Sequence, residues 1–178
     1  MQKKLIVGLG NWPKEYEHTK HNAGFIAVDE LKNHWQLKDF EEEKKFEGYT
    51  TKGIINEKEV ILLKPKTLMN NSGVAVKEIA NFYKILPEDI IVLHDDSDIE
   101  FGKVKISKGK SSGGHKGVES IIQNFGTKDF TRIRIGVRSE KEKGKKAEEF
   151  VLKNFSAQEL KKLKTIIKEI IKEVEKII

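Results

Sequence analysis

Five polar side chains stand beside the apolar runs of this sequence, at positions where they could carry out chemistry: Asn11, His21, Asn70, Asp95 and His115. Histidine suits general-base catalysis because its unperturbed pKa of about 6.5 lies near physiological pH. A carboxylate beside it can hold one tautomer, and an asparagine can donate and accept hydrogen bonds at once. Together they indicate a polar cleft, although each alone could be a turn former, a helix cap or a solvated histidine.

Strand and helix patterns alternate along the chain and must position these side chains. Short apolar or alternating runs predict strands at residues 4–9, 46–51, 59–64, 90–93, 103–107 and 132–137. Apolar residues at helical spacing predict helices at 24–35, 72–83 and 118–125 and after residue 156. This alternation favours an α/β fold with a mostly buried sheet. In such sheets ligands bind beyond the carboxyl ends of the strands, where His94, Asp95 and Asp96 would follow the strand 90–93.

Local signals predict where several of these elements begin and end. We expect Ser72 to be the N-cap of the second helix, and Ser156 with Glu159 to form a capping box at the start of the last. Residues 53–56 predict a turn between two strands. Residues 139–146 are rich in Lys, Glu and Gly, so we expect a mobile surface loop there.

Composition excludes several classes of protein. The 178 residues contain no cysteine, which rules out a disulfide framework, thiolate metal ligands and a cysteine nucleophile. The absence of cysteine fits a reducing cytosol, and we expect a cytoplasmic protein. No apolar run reaches 18 residues, so no membrane span is expected. The formal charge of +6 indicates a polyanionic partner such as nucleic acid, or only a lysine-rich surface.

Several known motifs fail on inspection. Gly8-Leu9-Gly10 follows a strand, but the third glycine of a dinucleotide-binding turn is replaced by Pro13. Gly109-Lys110-Ser111 resembles the end of a phosphate-binding loop, but Val104 occupies the position of its first glycine. There is no Gly-x-Ser-x-Gly sequence that would indicate a serine nucleophile. The histidines and aspartates lack a recognisable ligand spacing, so we expect no metal.

Five ordered sequence blocks nevertheless carry a specific resemblance. The first joins Leu5-Ile6-Val7-Gly8-Leu9-Gly10-Asn11 to Tyr16 and to Thr19-Lys20-His21-Asn22-Ala23-Gly24-Phe25. The others lie at residues 64–73, 92–98, 113–117 and 132–136. In this order the blocks resemble the peptidyl-tRNA hydrolases of the bacterial type, and the resemblance extends from Leu5 to the last helix. It implies a single α/β domain over residues 1–178, with a mixed, mostly parallel central sheet flanked by helices.

The resemblance also implies an activity and residue roles. It implies an enzyme that cleaves the ester between a peptide and the 3′ ribose of tRNA, which recycles tRNA from stalled or aborted translation. The catalytic histidine corresponds to His21, its supporting aspartate to Asp95, and the asparagine that separates blocked from free aminoacyl-tRNA to Asn11. Substrate-binding positions correspond to Tyr16, Leu68, Asn70, His115 and Lys116. No covalent nucleophile and no cofactor are expected.

Four positions, two of them adjacent, depart from the family pattern. The family usually has Asn-Pro-Gly after the first strand, where this chain has Asn11-Trp12-Pro13. Lys116 stands where the family usually has asparagine, so a paired donor and acceptor is replaced by a cation. Leu68 stands where an aromatic residue is common. These departures concern how the substrate is held and leave His21 itself unchanged.

The basic residues concentrate between two glycines. Residues 102–117 hold five lysines and no acid, and Arg134 lies on a neighbouring strand pattern. Phosphate contacts of this kind are salt-dependent and independent of base sequence, which would suit binding to any tRNA. We therefore expect contacts to tRNA phosphates from Lys103, Lys105, Lys108, Lys110 and Arg134. A solvated lysine-rich surface is the alternative.

Two other functions stay open from the sequence. A non-catalytic RNA-binding relative of the same fold would not need His21, Asp95, Asn11 and Asn70, so their presence favours catalysis. A different α/β hydrolytic enzyme acting on a small substrate would show turnover that is indifferent to salt. We expect peptidyl-tRNA as the partner, and a monomer that needs neither metal nor membrane.

Overall fold

The computed structural model describes residues 1–178 and contains seven strands and four α-helices. The strands are β1 Lys3–Gly8, β2 Glu41–Glu43, β3 Gly48–Ile55, β4 Lys58–Pro65, β5 Ile90–Glu100, β6 Val104–Lys108 and β7 Thr131–Arg138. The helices are α1 Ala23–His34, α2 Ser72–Tyr83, α3 Lys116–Phe125 and α4 Ala157–Ile177. Short 3₁₀ turns precede α1 and α2.

All seven strands form one sheet in the order β2-β3-β4-β1-β5-β7-β6. The four central strands β4, β1, β5 and β7 are parallel, whereas β2, β3 and β6 run antiparallel to their neighbours. Parallel strands need both faces covered. The expected α/β fold with a mixed sheet flanked by helices is confirmed.

Two apolar clusters lie on opposite faces of this sheet. Alternate residues of one strand belong to different clusters: Ile6 packs with side chains of α1 and α4, whereas Leu5 and Val7 pack with side chains of α2 and α3. This follows from the period of two along a strand, which sends successive side chains to opposite faces. Burial on both faces explains why β1 is a continuous apolar run.

The first turn of α1 lies unusually close to the sheet. A Cβ atom on Gly24 would stand 2.3 Å from the carbonyl oxygen of Leu93 and 2.6 Å from the backbone of Leu9. Only glycine therefore allows the helix to begin against the carboxyl ends of β1 and β5. The approach brings His21, three residues earlier, to the edge of the sheet.

The expectation that His94, Asp95 and Asp96 follow a strand is wrong. The strand β5 continues through them to Glu100, and they pair with residues 134–136 of β7. The register with β1 ends at Leu93, so from His94 onward the strand has a partner on one side only. Asp95 thus lies within the sheet but beyond the end of β1, which leaves space for α1 and its preceding turn.

Ser72 does not cap α2, so that expectation is also wrong. The helix begins at Ser72 itself, and its hydroxyl donates to the carbonyl of Met69, 2.8 Å away, in the preceding 3₁₀ turn. The turn between β3 and β4 is shorter than expected, since β3 continues to Ile55. By contrast, the capping box of Ser156 and Glu159 at the start of α4 is confirmed.

Residues 139–146 are anchored rather than free. Glu142 is 1% exposed, and its carboxylate accepts from the Lys20 ammonium at 2.8 Å and from the Ser139 hydroxyl. Arg138 also donates to the carbonyls of Glu142 and Lys145. Composition indicated a solvated loop because the charges that fix it are the same residue types that usually face water.

Candidate active site

Three elements bring an imidazole–carboxylate–imidazole set to the carboxyl edge of the parallel strands. His21 lies on the 3₁₀ turn Lys20–Asn22 before α1, Asp95 lies on β5, and His115 immediately precedes α3. The backbone N–H of His21 donates to the carbonyl of Val151 at 2.7 Å, which fixes that turn. Of the five side chains that the sequence predicts to converge, contacts within the structure join these three.

Asp95 lies at the centre of the set. Its carboxylate is 2% exposed, with Oδ2 lying 2.8 Å from His21 Nδ1 and Oδ1 lying 2.8 Å from His115 Nε2. Burial raises the pKa of this carboxyl, but the two imidazoles more than offset it and hold the pKa well below its usual range. Asp95 is therefore an anion that accepts from both histidines.

The hydrogen bonds of His115 determine which of its two ring nitrogens carries the proton. Its Nδ1 accepts from the backbone N–H groups of Gly117 and Val118, at 3.1 and 3.3 Å, and so caps the N-terminus of α3. A ring nitrogen that accepts carries no proton, so the proton of the neutral ring lies on Nε2 and is donated to Asp95. Both nitrogens are occupied, and His115 cannot act as a base in this arrangement.

His21 has one nitrogen left free. Its Nδ1 donates to Asp95, so Nε2 carries the lone pair, and no protein group binds it. Burial lowers the pKa of His21, but the carboxylate of Asp95 more than offsets this, so that the pKa lies above its ordinary value. The rings of His21 and His115 lie 5.2 Å apart. Nε2 of His21 is thus a base that faces away from Asp95.

Asn22 is a site residue that sequence reasoning missed. Its side chain is almost fully buried, accepts from the backbone N–H of Asn11 at 2.7 Å and donates to the carbonyl of Asn11 at 3.0 Å. These two bonds hold the backbone of Asn11 and leave its own side chain uncommitted. The only signal was an asparagine directly after His21, which local rules could not connect to a residue 11 positions earlier.

His94 and Arg132 form a buried layer behind Asp95. His94 is 1% exposed, and its Nδ1 donates to the carbonyl of Asp95 at 2.7 Å. Burial and the neighbouring His115 hold the pKa of His94 well below its ordinary value, so the ring is neutral. Arg132 approaches Nε2 of His94 at 3.4 Å and donates to the carbonyl of Ser111 at 2.8 Å. This layer links the backbone at Ser111, shortly before Gly113 and Gly114, to β5.

The expected substrate-binding residues differ in their exposure. Leu68 is 68% exposed and directly precedes the 3₁₀ turn Met69–Asn71, which carries the exposed Asn70. Tyr16 is half-buried on the turn Lys14–Tyr16, and its hydroxyl makes no hydrogen bond within the chain. Lys116 is exposed at the start of α3, and its charge acts to lower the pKa of His21.

The basic residues lie on and beside the edge strand β6. Three of the five expected phosphate contacts have acidic partners: Lys103 with Glu100 at 3.0 Å, Lys108 with Asp129 at 3.7 Å, and Arg134 with Asp96 at 2.8 Å. Lys105 and Lys110 are exposed and have no acid within 4.0 Å. The freest cations of the set are therefore Lys105 and Lys110.

The His21–Asp95–His115 set is the one place in the structure where three possible metal ligands meet. The ligand atoms of His21, Asp95 and His115 lie within 4.8 Å of one another. The hydrogen bonds already described account for this spacing, because each facing nitrogen carries a proton directed at the carboxylate.

None of the helices is both long enough and apolar enough to cross a membrane.

Fold and site together define an α/β enzyme with an imidazole–carboxylate centre. The sequence matches the family model for peptidyl-tRNA hydrolase over residues 5–178. Proteins named peptidyl-tRNA hydrolase from Mycoplasma capricolum and Bacillus cereus are 48% and 46% identical over 90% and 88% of this chain, and 85% and 83% of theirs. A solved structure of peptidyl-tRNA hydrolase from Acinetobacter baumannii has a TM-score of 0.87 at 33% identity, covering 97% of this chain and 86% of its own. The chain belongs to the peptidyl-tRNA hydrolase family.

Proposed function

We propose that this protein hydrolyses the ester that joins a peptide to the 3′ ribose of tRNA, with His21 as the general base. One observation carries the proposal: Nε2 of His21 is the only free ring nitrogen of the His21–Asp95–His115 set, and Nδ1 is held by a buried carboxylate. That arrangement can deprotonate water without a covalent intermediate.

The reaction follows from that geometry. Nε2 of His21 takes a proton from water while the water oxygen attacks the ester carbonyl. The resulting imidazolium is stabilised by Asp95, as in a catalytic triad. The C–O bond to the ribose then breaks, and the imidazolium returns the proton to the 3′ oxygen. The products are a free peptide carboxylate, whose acidic proton goes to solvent, and tRNA with a free 3′ hydroxyl.

Asn11 is proposed to separate peptidyl-tRNA from aminoacyl-tRNA. Asn22 holds its backbone at two points, so the side chain extends from a fixed backbone position and its amide is free to bind substrate. It can accept from the first amide N–H of the peptide and donate to the adjoining carbonyl. A free amino group would place a cation there, and mispaired polar groups discriminate strongly. Asn70, exposed on the 3₁₀ turn before α2, is proposed to orient the substrate carbonyl, and Tyr16, Leu68, His115 and Lys116 are proposed to bind the substrate with it.

We propose further that the chain acts as a monomer in the cytoplasm, without metal or cofactor. The His21–Asp95–His115 set, Asn11 and the basic strand all belong to one chain, so no second copy is needed to complete them. tRNA phosphates are proposed to contact Lys103, Lys105, Lys108, Lys110 and Arg134. Light scattering of the purified protein, together with turnover after chelation, tests these points.

Deacylation of two matched substrates tests the function. N-acetyl-phenylalanyl-tRNA should be hydrolysed and phenylalanyl-tRNA should be spared, and Asn11→Ala should reduce that preference. Tight tRNA binding without turnover of either substrate would instead indicate the non-catalytic RNA-binding relative. Equal turnover of both substrates would contradict the role of Asn11 while leaving the hydrolase activity intact.

A further inference from the structure

An exposed tryptophan ring and a half-buried tyrosine ring line the same cavity as Asn11. Trp12 is 41% exposed, and its indole ring stands 5.0 Å from the ring of Tyr49 on β3, with 40° between the ring planes. Together Trp12 and Tyr49 are called the aromatic platform. Trp12 and Pro13 replace the Pro-Gly expected after Asn11, so the platform belongs to this chain's own sequence.

Two of the lysines around the aromatic platform are paired with acids. Lys66 lies 5.4 Å from the ring of Trp12, and it donates to Glu42 at 2.8 Å. Lys64 borders the same opening and donates to Asp29 at 2.6 Å. With these two cations paired, and Lys14 the one unpaired lysine that lines the opening, the platform presents mainly the apolar surface of its two rings. An uncharged aromatic or aliphatic group is the ligand that fits it.

Sheet order places the platform away from the basic strand. β1 ends at the site, and from there β4 and β3 lie on one side while β5, β7 and β6 lie on the other. The lysines of β6 are therefore at the edge opposite to Tyr49. If tRNA phosphates contact the β6 edge, the acyl chain of the substrate leaves the ester on the platform side.

Trp12 directly follows Asn11 in the chain. Adjacent Cα atoms are about 3.8 Å apart, close to the length of one residue of an extended peptide. A peptide whose first amide meets Asn11 would thus have a neighbouring residue within reach of Trp12. A cavity of about 120 Å³ opens at this place, and its lining combines Asn11, Trp12, Phe25 and Tyr49 with the charged residues Lys14, Glu17, Asp29 and Lys64.

We propose that the aromatic platform is a subsite for the side chain of the peptide residue one removed from the ester, with preference for aromatic and large apolar groups. This rests on the proposed hydrolysis of peptidyl-tRNA and adds a specificity to it. Stacking on Trp12 would strengthen the binding of such peptides relative to those with glycine at that position.

Turnover of two dipeptidyl substrates tests the subsite. The substrates are N-acetyl-Phe-Gly-tRNA and N-acetyl-Gly-Gly-tRNA, which differ only in the residue that would meet Trp12. The wild type should favour the first in kcat/KM, and Trp12→Ala should lower that ratio by roughly 3- to 10-fold, the size of one aromatic pair. Trp12→Phe should keep most of the wild-type preference for N-acetyl-Phe-Gly-tRNA. Phe82→Ala, a change of another exposed aromatic residue on α2, is the matched control and should leave the ratio as in the wild type.

Failure of the proposed function and failure of the proposed subsite give different results. No turnover of either substrate by the wild type would overturn the proposed hydrolase function. Turnover of both with a ratio that Trp12→Ala does not change would overturn the subsite alone. Circular dichroism of Trp12→Ala and Trp12→Phe establishes that the variants are folded.

Fluorescence gives a second test without catalysis. The chain has two tryptophans, and Trp35 is half-buried with its Nε1 donating to Glu175 at 2.9 Å. In Trp35→Phe, the remaining emission reports on Trp12. N-acetyl-Phe-Gly should change that emission at a concentration several-fold below N-acetyl-Gly-Gly, whereas the trinucleotide cytidylyl-cytidylyl-adenosine should not change it. A response to the trinucleotide equal to that of N-acetyl-Phe-Gly would overturn the proposal in favour of a nucleobase site.

Discussion

Two histidines contact the same carboxylate in this site, but only one of them can accept a proton. The second ring nitrogen of His115 accepts hydrogen bonds at the N-terminus of α3, whereas the second ring nitrogen of His21 is free. The residue types alone predicted a histidine–aspartate centre, and the resemblance pointed to His21. Which ring can accept a proton depends on backbone N–H groups at Gly117 and Val118, and no residue type reveals that contact.

The pH dependence of kcat/KM follows from the pKa of His21. Its pKa is raised because Asp95 outweighs the effect of burial, and catalysis needs the neutral ring. The rate should therefore rise with pH through a midpoint above about 6.5. In Asp95→Asn the carboxylate charge is lost, so this midpoint should move to lower pH and the plateau should fall by about 10²-fold or more.

Initial rates between pH 5 and 9 on N-acetyl-phenylalanyl-tRNA measure both effects, with Asp96→Asn as a neighbouring control. That variant also removes a carboxylate, but one that pairs with Arg134 and not with a histidine. An unchanged midpoint in Asp95→Asn would contradict the assigned cause of the shift.

At the scale of elements, sequence patterns found the strands and helices but not how far β5 extends. Polar residues after an apolar run normally mark the end of a strand, and here β7 supplies backbone partners that no local signal encodes. Contacts between distant residues were equally hidden. Lys20 and Glu142 are 122 positions apart, and their pairing joins the turn that carries His21 to residues 139–146.

Loss of the buried Lys20–Glu142 pair should destabilise the fold strongly. Lys20 is 1% exposed, so Lys20→Met would leave the Glu142 carboxylate buried without its cation, at a cost of about 3–5 kcal/mol. Lys141→Met, in the same segment, removes an exposed partner of Glu159 and should cost less than about 1 kcal/mol. Urea unfolding followed by circular dichroism measures both, and equal losses would show that the buried pair has no special weight.

At the scale of the whole molecule, the net charge of +6 says little until it is located. Much of the sequence is lysine-rich, including α4, but the stretch without acids follows the edge strand β6 and reaches the site at Lys116. Composition could not tell whether the lysines of β6 or those of α4 lie near the site. The fold can, because β6 is the edge strand next to β7, and β7 pairs with β5, which carries Asp95.

Neutralising the β6 cations should weaken the salt dependence of tRNA binding. Each lost phosphate contact lowers the slope of log K against log salt by roughly one unit, so Lys105, Lys108 and Lys110 changed together to Gln should flatten it visibly. The matched control changes Lys164, Lys168 and Lys172 of α4 to Gln and removes the same charge. Filter binding of tRNA over a salt series measures both, and equal slopes for the two triple variants would mean that net charge alone drives binding.

The most direct test of His21 as the general base is single-turnover deacylation of N-acetyl-phenylalanyl-tRNA by the His21→Ala variant. The affinity of the variant for tRNA is measured in parallel. Loss of the only free imidazole nitrogen of the site should lower the rate by about 10²- to 10⁴-fold, the usual contribution of a general base. The affinity should stay unchanged, because His21 lies apart from the lysines of β6. A His21→Ala variant that deacylates at the wild-type rate would contradict the assignment of His21 as the base.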